Sequence, residues 1–213
     1  HAKTLGYEIT SATAPYAVVD VKLTTDSATK TMPAGTVFNS TVDGVNYQFV
    51  TIADVTASNT GNAVIFKDAR IYEGSYITTK YTVDSTDVDQ RFTLLDSRAD
   101  TSTLTVKVQN SSTDTTSSTY TKATDITQLT SSSRVYYLQE VENNRYEIYF
   151  GDGVVSSALS DGNIVEMKYV VTNKTAANGA SSFTSPSAID SVTDISLTVI
   201  SSAFSGAEPE SIS

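Results

Sequence analysis

Apolar and polar side chains alternate between Tyr16 and Leu23 with a period of two residues. This period places successive side chains on opposite faces of an extended backbone, so it predicts a β-strand. One face of the strand suits a hydrophobic core, while Asp20 and Lys22 belong to the opposite face. The core-facing residues are Ala17, Val19, Val21 and Leu23.

Two later stretches, residues 146–150 and 165–171, show the same alternation and are also predicted to be strands. Glycines next to aspartates lie between them. Glycine readily takes the positive φ that tight hairpin turns require, so we predict that tight turns join these strands, with at least one of their glycines at positive φ. The positions predicted to be structural turns along the chain are Gly35, Gly44, Gly151, Asp152, Gly153, Asp161, Gly162 and Gly179.

Short strands separated by turn residues recur along most of the chain, which is typical of antiparallel architecture. The sequence therefore predicts a mainly β fold made of antiparallel β-sandwich or barrel-like units with very little helix. A single short helix is expected at residues 124–130, with Thr124 or Asp125 as its N-cap. The further predicted strands are 36–39, 45–52, 63–72, 75–83, 90–95, 103–109, 134–138 and 195–200.

Polar stretches interrupt this pattern and suggest how the chain is divided. Residues 24–30 and 53–62 are predicted loops, and residues 110–119 carry no apolar side chain, which predicts an exposed and mobile loop. The predicted organisation has four parts: 1–12, the end of a truncated helix with Gly6 as its left-handed stop, and a linker; 13–83 plus 163–204, a first β domain; 84–162, a candidate inserted β domain; and 205–213, the approach to a missing C-terminal segment.

Composition and charge narrow the range of partners. The 213 residues carry a formal net charge of −10, with a pI near 4.4. Nucleic acids and anionic membranes are polyanions, so we expect neither as a partner. No apolar run approaches the roughly 18 residues of a membrane-spanning helix. The absence of cysteine excludes disulfides and thiol chemistry.

The sequence offers few of the residue combinations that enzymes use for catalysis. The only histidine is His1, so a Ser-His-Asp triad has no positioned imidazole. Glu140, Glu142 and Glu147 could in principle form the carboxylate pair of a glycosidase. We interpret them instead as residues of solvated strand faces, because 24 acidic residues make some pairing inevitable. No catalytic residue and no cofactor are predicted.

One acidic segment of the sequence contains candidate metal ligands. Asp84, Asp87 and Asp89 are clustered oxygen ligands of the kind that calcium prefers. The segment lacks the glycine and terminal glutamate of an EF-hand, and aspartates are common in turns because they accept hydrogen bonds from nearby backbone amides. These three residues are weak calcium candidates, and turn formation is the favoured interpretation.

Several motifs resemble those of a known family. A strand ending in YFGDGV, a DGN turn and a following strand that reaches Tyr169 are similar to the baseplate J-like proteins of contractile-tailed bacteriophages, and most similar to the baseplate wedge proteins of T-even-like phages. Residues 97–134 carry no matching motif. Other matches occur in the family's order: LGY at 5–7, AP at 14–15, MPAGTVF at 32–38, ANG at 177–179 and GAEPES at 206–211.

The resemblance implies a fragment of a structural protein without enzymatic activity. It would bind other baseplate wedge proteins and copies of itself, and so build the ring around the tail hub. Its place would be the tail baseplate of the virion, with assembly in the host cytoplasm. Because the resemblance implies missing neighbouring segments, and because two copies at −10 repel each other, we expect the isolated chain to be a monomer or a weak dimer.

A second function class fits the same composition. Acidic chains rich in Ser, Thr and Tyr are also suited to an extracellular adhesion or carbohydrate-binding β-sandwich module. Saturable binding to one glycan on an array would favour this alternative over a structural part of a tail.

Overall fold

The computed structural model describes residues 10–210, which form two compact units. The middle unit comprises Ile77–Tyr169 with residues 10 and 11. The split unit comprises Ala12–Tyr76 and residues 170–210. The helix end predicted around Gly6 lies outside the described residues. An inserted domain at residues 84–162 stays a prediction from the sequence.

Strands dominate both units. Besides them, the described residues contain three single-turn 3-10 helices, at Ile126–Gln128, Glu142–Asn144 and Lys174–Ala177. The strands are β1 Tyr16–Thr24, β2 Thr29–Met32, β3 Val37–Val42, β4 Val45–Val50, β5 Val55–Ser58, β6 Ala63–Glu73, β7 Ser75–Thr82, β8 Phe92–Leu94, β9 Ala99–Gln109, β10 Ser117–Lys122, β11 Val135–Glu140, β12 Tyr146–Phe150, β13 Ile164–Val171 and β14 Ile195–Phe204.

The split unit is built on a five-stranded antiparallel sheet in the order β14-β1-β6-β4-β3. β2 and β5 form a separate antiparallel ribbon. One face of β1 lies in the core, as its alternation predicts. The main buried residues of this core are Ala17, Val19, Val21, Leu23, Met32, Phe38, Phe49, Val64, Phe66 and Ile71.

The β3–β4 connection shows how local sequence sets the register. Asp43 and Gly44 form a two-residue turn with φ of 50° and 79°. Two positive φ values give the turn a twist that matches the flanking strands. Val42 consequently lies opposite Val45, and the pairing continues along both strands.

A buried carboxylate joins two distant segments of the split unit. Glu73, at the end of β6, is fully buried. Its Oε2 accepts hydrogen bonds from the Thr172 hydroxyl at 2.7 Å and the Asn173 backbone N–H at 2.9 Å. Its Oε1 accepts one from Asn173 Nδ2 at 2.7 Å. The segments that precede and follow the middle unit in the sequence are therefore held together here.

The middle unit is built on a seven-stranded sheet in the order β7-β13-β9-β10-β11-β12-β8. Most neighbours whose pairing is described are antiparallel, but β10 and β11 are parallel, with Thr121 opposite Val135. The best-buried apolar side chains of the unit are Leu94, Val106, Ile148, Val165, Met167 and Tyr169.

The predicted fold class is confirmed: the chain is mainly β, with antiparallel sheets and very little helix. The predicted loops at 24–30 and 53–62 were wrong in part, because β2 and β5 occupy Thr29–Met32 and Val55–Ser58. Side chains on these strands are mostly solvent-accessible, so their sequences carry no apolar period. Backbone pairing between them, rather than burial, makes them strands.

Two predicted polar segments are ordered by local hydrogen bonds. β10 begins at Ser117, inside the predicted loop 110–119, and the remaining tip is closed by the Asn110 N–H donating to the Thr116 carbonyl at 2.9 Å. Mobility of this tip stays a prediction. The predicted helix near residue 126 is a single 3-10 turn, capped by Asp125 through the Thr127 N–H at 2.9 Å.

Within residues 10–210, no helix is long and apolar enough to cross a membrane.

Candidate functional site

The glycines at the predicted turn positions differ in backbone geometry. The φ angle of Gly151 does not lie in the positive, left-handed region. A Cβ added at this position would, however, lie 2.7 Å from the Ser156 carbonyl oxygen. Glycine is therefore required at 151 by close packing. Positive φ occurs at Gly35, Gly44, Gly153, Gly162 and Gly179.

The expected direct hairpin between residues 146–150 and 165–171 is not present. β12 is hydrogen-bonded to β11 on one side and to β8 on the other. Since a strand has only two edges, β13 cannot pair with it and lies between β7 and β9 instead. The segment after β12 forms a loop in which Asp152 Oδ1 accepts the Val154 N–H at 3.0 Å.

The second predicted turn serves as an anchor for the acidic segment. Asp161 Oδ1 accepts a hydrogen bond from the Ser85 N–H at 2.9 Å. The Gly162 N–H donates to the Val83 carbonyl at 2.9 Å. The structure thus brings together Asp161–Gly162 and the start of the acidic segment, residues that are far apart in the sequence.

The acidic segment uses its carboxylates to shape its own backbone. Asp84 Oδ1 accepts the Thr86 hydroxyl at 2.6 Å and the Thr86 N–H at 2.9 Å. These hydrogen bonds, the one from the hydroxyl first, lower the pKa of Asp84 below its ordinary value. Asp87 Oδ1 likewise accepts the Asp89 N–H at 3.0 Å.

The geometry does not assemble the calcium candidates into a ligand set. Among residues 10–210, no group of three or more His, Cys, Asp or Glu side chains is placed to hold a metal ion. Calcium binding by Asp84, Asp87 and Asp89 therefore stays a prediction, which titration calorimetry with calcium can test.

The acidic segment borders a pocket of about 540 Å³ on the middle unit. Its walls come from residues 83–92, from β11 and from β12 with the loop that follows it. Val88, with 93% of its surface exposed, lies at the pocket together with Asp84 and Asp87. The pocket therefore combines carboxylates with an exposed apolar side chain.

The most distinctive group in this pocket is Glu147 of β12, which is only 5% exposed. Its Oε1 accepts a hydrogen bond from Arg91 Nη1 at 2.8 Å and a further one from Gln139 Nε2. The Arg91 side chain itself is 65% exposed. No donor among the described residues reaches Oε2 of Glu147, so this oxygen retains its capacity to accept a hydrogen bond.

Aromatic side chains stiffen the strands around the pocket. Phe150 lies edge-on to Phe92 and to Tyr120, with ring centroids 5.5 and 5.4 Å apart. Tyr149 stacks on Tyr137 at 5.0 Å with an interplanar angle of 17°. Because rigid aromatic contacts fix β12 against its neighbours, the position of Glu147 is also fixed.

The interpretation of Glu147 as a residue of a solvated strand face was wrong. Glu147 points to the other face of β12 from its neighbours Tyr146 and Ile148, and the alternation predicts that this other face is exposed to solvent. Residues that come from elsewhere in the chain, Arg91 and Gln139, contact this face of β12. A charged residue in an otherwise apolar strand was the only sequence signal that could have marked it.

Comparison with known proteins supplies the family. Residues 76–181, about half of the chain, match the family described as bacteriophage baseplate wedge protein gp6, third domain. No curated protein matches the chain. The matched range contains the whole pocket and the motifs YFGDGV and DGN. The chain therefore belongs to the bacteriophage baseplate wedge proteins and has a structural role in the phage baseplate.

Proposed function

We propose that the chain binds other baseplate wedge proteins and copies of itself, helps to build the ring around the tail hub, and catalyses no reaction. The match of residues 76–181 to the third domain of a baseplate wedge protein is the observation that carries this proposal. Assembly takes place in the host cytoplasm, before the tail is complete.

The electrostatics of the described carboxyl groups support a role without catalysis. The pKa is lowered at Asp84, Asp114 and Asp125 by hydrogen bonds from neighbouring Thr and Asn side chains, and at Asp96 by Arg98. A general acid working near neutral pH needs a raised carboxyl pKa. Lowered values instead favour carboxylates that stabilise loops.

Location in the particle is the direct test. Antibody raised against this chain, conjugated to gold, is expected to label the baseplate end of contractile tails from the parent phage in electron micrographs. Antibody against the tail sheath provides the control, because it should label the tail along its length. Labelling confined to tail regions away from the baseplate would refute the proposal.

Self-association of the isolated chain should be weak. A stable interface usually buries at least about 1,200 Å² in total, and two copies at a net charge of −10 repel each other. Size exclusion with light scattering over a concentration series should show a monomer, or a dimer that dissociates at low micromolar concentration. A hexamer or dodecamer that survives dilution would place the ring contacts within these residues.

A further inference from the structure

We infer that the pocket beside Glu147 receives a lysine side chain from a partner protein. This inference rests on the proposed role in assembly, because it names the chemistry by which one partner would be recognised. It concerns the middle unit alone, where the pocket lies.

Glu147 offers a free acceptor at the pocket. Its Oε2 still reaches solvent, because among the described residues the buried side-chain oxygen or nitrogen that lacks a partner is the Ser40 hydroxyl. A hydrated carboxylate oxygen can exchange its water for a charged donor, which forms a strong hydrogen bond. Glu147 is only 5% exposed, and within the described residues its Oε2 has no donor while Oε1 has two. Since Glu147 lines the pocket, a donor entering there can supply the missing hydrogen bond.

The charged side chains that line the pocket are mostly acidic. Carboxylates of Asp84, Asp87 and Glu147 line the pocket, against the single guanidinium of Arg91. The hydrogen bonds that lower the pKa of Asp84 keep that group ionised well below neutral pH. The excess of negative charge favours a cationic ligand and disfavours an anionic one.

The existing partners of Glu147 favour a lysine ligand over an arginine ligand. Arginine binds carboxylates best through two parallel hydrogen bonds, one to each oxygen. At Glu147 one of these oxygens is already taken by Arg91 and Gln139. An ammonium group acts as a point charge and can bond to the remaining oxygen alone.

The pocket also offers a surface for the aliphatic part of the ligand. Phe92, Ile148 and Phe150 belong to its lining, and Val88 is exposed beside them. Lysine side chains commonly lay their methylene groups along apolar surface while the ammonium group binds elsewhere. A partner lysine would therefore bury its stem here and reduce the exposure of Val88.

The test is a titration of the isotope-labelled full chain with N-acetyl-lysine methylamide, followed by amide resonances in NMR spectra. We expect saturable shifts confined to β12 and residues 83–92, with a dissociation constant on the order of millimolar for so small a probe. The side-chain-acetylated form of the probe keeps the stem but loses the charge, and it should bind at least about tenfold more weakly. The matching arginine probe should bind about threefold more weakly or worse.

Variants connect the binding to the proposed atoms. Glu147→Gln should weaken lysine binding by about fivefold or more, and Asp84→Asn, on the exposed rim, by a smaller factor. Glu166→Gln is the matched control, since Glu166 pairs with Lys80 and Lys168 and does not line the pocket. If Glu147→Gln fails to fold, Asp84→Asn still tests the charge argument.

The inference is overturned if the lysine probe causes no saturable shifts, if the acetylated probe binds equally well, or if the arginine probe binds more tightly. It is also overturned if Glu147→Gln folds and binds lysine as the unaltered chain does. Gold labelling of tails tests the structural role independently. Labelled baseplates with a failed titration would remove only the assignment of the pocket.

Discussion

Glu73 and Glu147 are two buried glutamates whose carboxylates are used in different ways. Glu73 is fully buried in the split unit, and both of its oxygens accept hydrogen bonds from Thr172 and Asn173. Glu147 is nearly as buried in the middle unit, but only one of its oxygens has a donor among the described residues. Its cationic neighbour, Arg91, is largely exposed to solvent.

The difference separates a structural carboxylate from one that is available for binding. Three donors engage both oxygens of Glu73, which is fully buried, so its contribution is to join two segments of one unit. Glu147 opens into a pocket, and its local partners leave an acceptor free. Burial alone therefore does not identify function; the number of satisfied acceptors does.

The largest expected effect follows from removing the charge at Glu73. In Glu73→Gln the side-chain amide replaces one acceptor with an N–H₂ group that faces donors, and each buried group left unsatisfied costs about 1–3 kcal/mol. We expect the free energy of unfolding to fall by about 3 kcal/mol or more. Urea unfolding followed by circular dichroism measures the change, and a loss below about 1 kcal/mol would contradict the structural assignment.

The residue after Glu73, Gly74, tests how closely the two segments of the split unit pack where they meet. Gly74 has a φ of 129°, and a Cβ there would lie 2.8 Å from Val170 Cγ1 and overlap the Val171 carbonyl oxygen. Gly74→Ala should therefore cost about 2 kcal/mol or more. Gly44→Ala is the control: its φ is also positive, but nothing lies within 4 Å of the added Cβ. Equal losses in the two variants in thermal unfolding would show that the two segments are not closely packed.

A smaller loss is expected at the open carboxylate. Glu147→Gln keeps an oxygen that can accept from Gln139, and it removes an ion pair whose arginine is mostly in water. Such pairs contribute about 0–1 kcal/mol, so the free energy of unfolding should fall by at most about 1 kcal/mol. Urea unfolding alongside Glu73→Gln makes the comparison direct. A loss as large as that of Glu73→Gln would place Glu147 among the structural carboxylates.

The smallest effect concerns the rim of the pocket. Thr86→Val removes the hydroxyl that is the main cause of the lowered pKa of Asp84, so this pKa should rise toward its ordinary value. Because the folded pKa of Asp84 is lowered, its stabilisation is present above the unfolded pKa and is lost as pH falls through the folded pKa.

NMR titration of the Asp84 carboxyl group measures this shift. Asp96 is the internal control, since its pKa is lowered by Arg98 and should not respond to Thr86→Val. An unchanged pKa at Asp84 would mean that another group holds the carboxylate in its ionised form.

The sequence by itself determined the strands that have one buried face. The alternation in β1 identified Ala17, Val19, Val21 and Leu23 as core residues, because burial of one face of a sheet requires a period of two. The turn at Gly44 could likewise be predicted from the sequence, because the preference of the Asp43–Gly44 pair for positive φ is a local property. The motifs around Gly151 and Gly162 carried the resemblance to baseplate wedge proteins, which the family match confirmed.

Only the tertiary structure decided how strands pair and which polar residues are buried. β12 could pair with the strand after it or with others, and the neighbours β11 and β8 were settled by contacts between residues distant in the chain. Glu73 and Glu147 look alike in the sequence, since each directly follows a tyrosine near one end of a strand. Their different environments come from Thr172 and Asn173 in one unit and from Arg91 and Gln139 in the other. A carboxylate's solvation and donors are set by three-dimensional neighbours, and no local pattern in a single sequence encodes them.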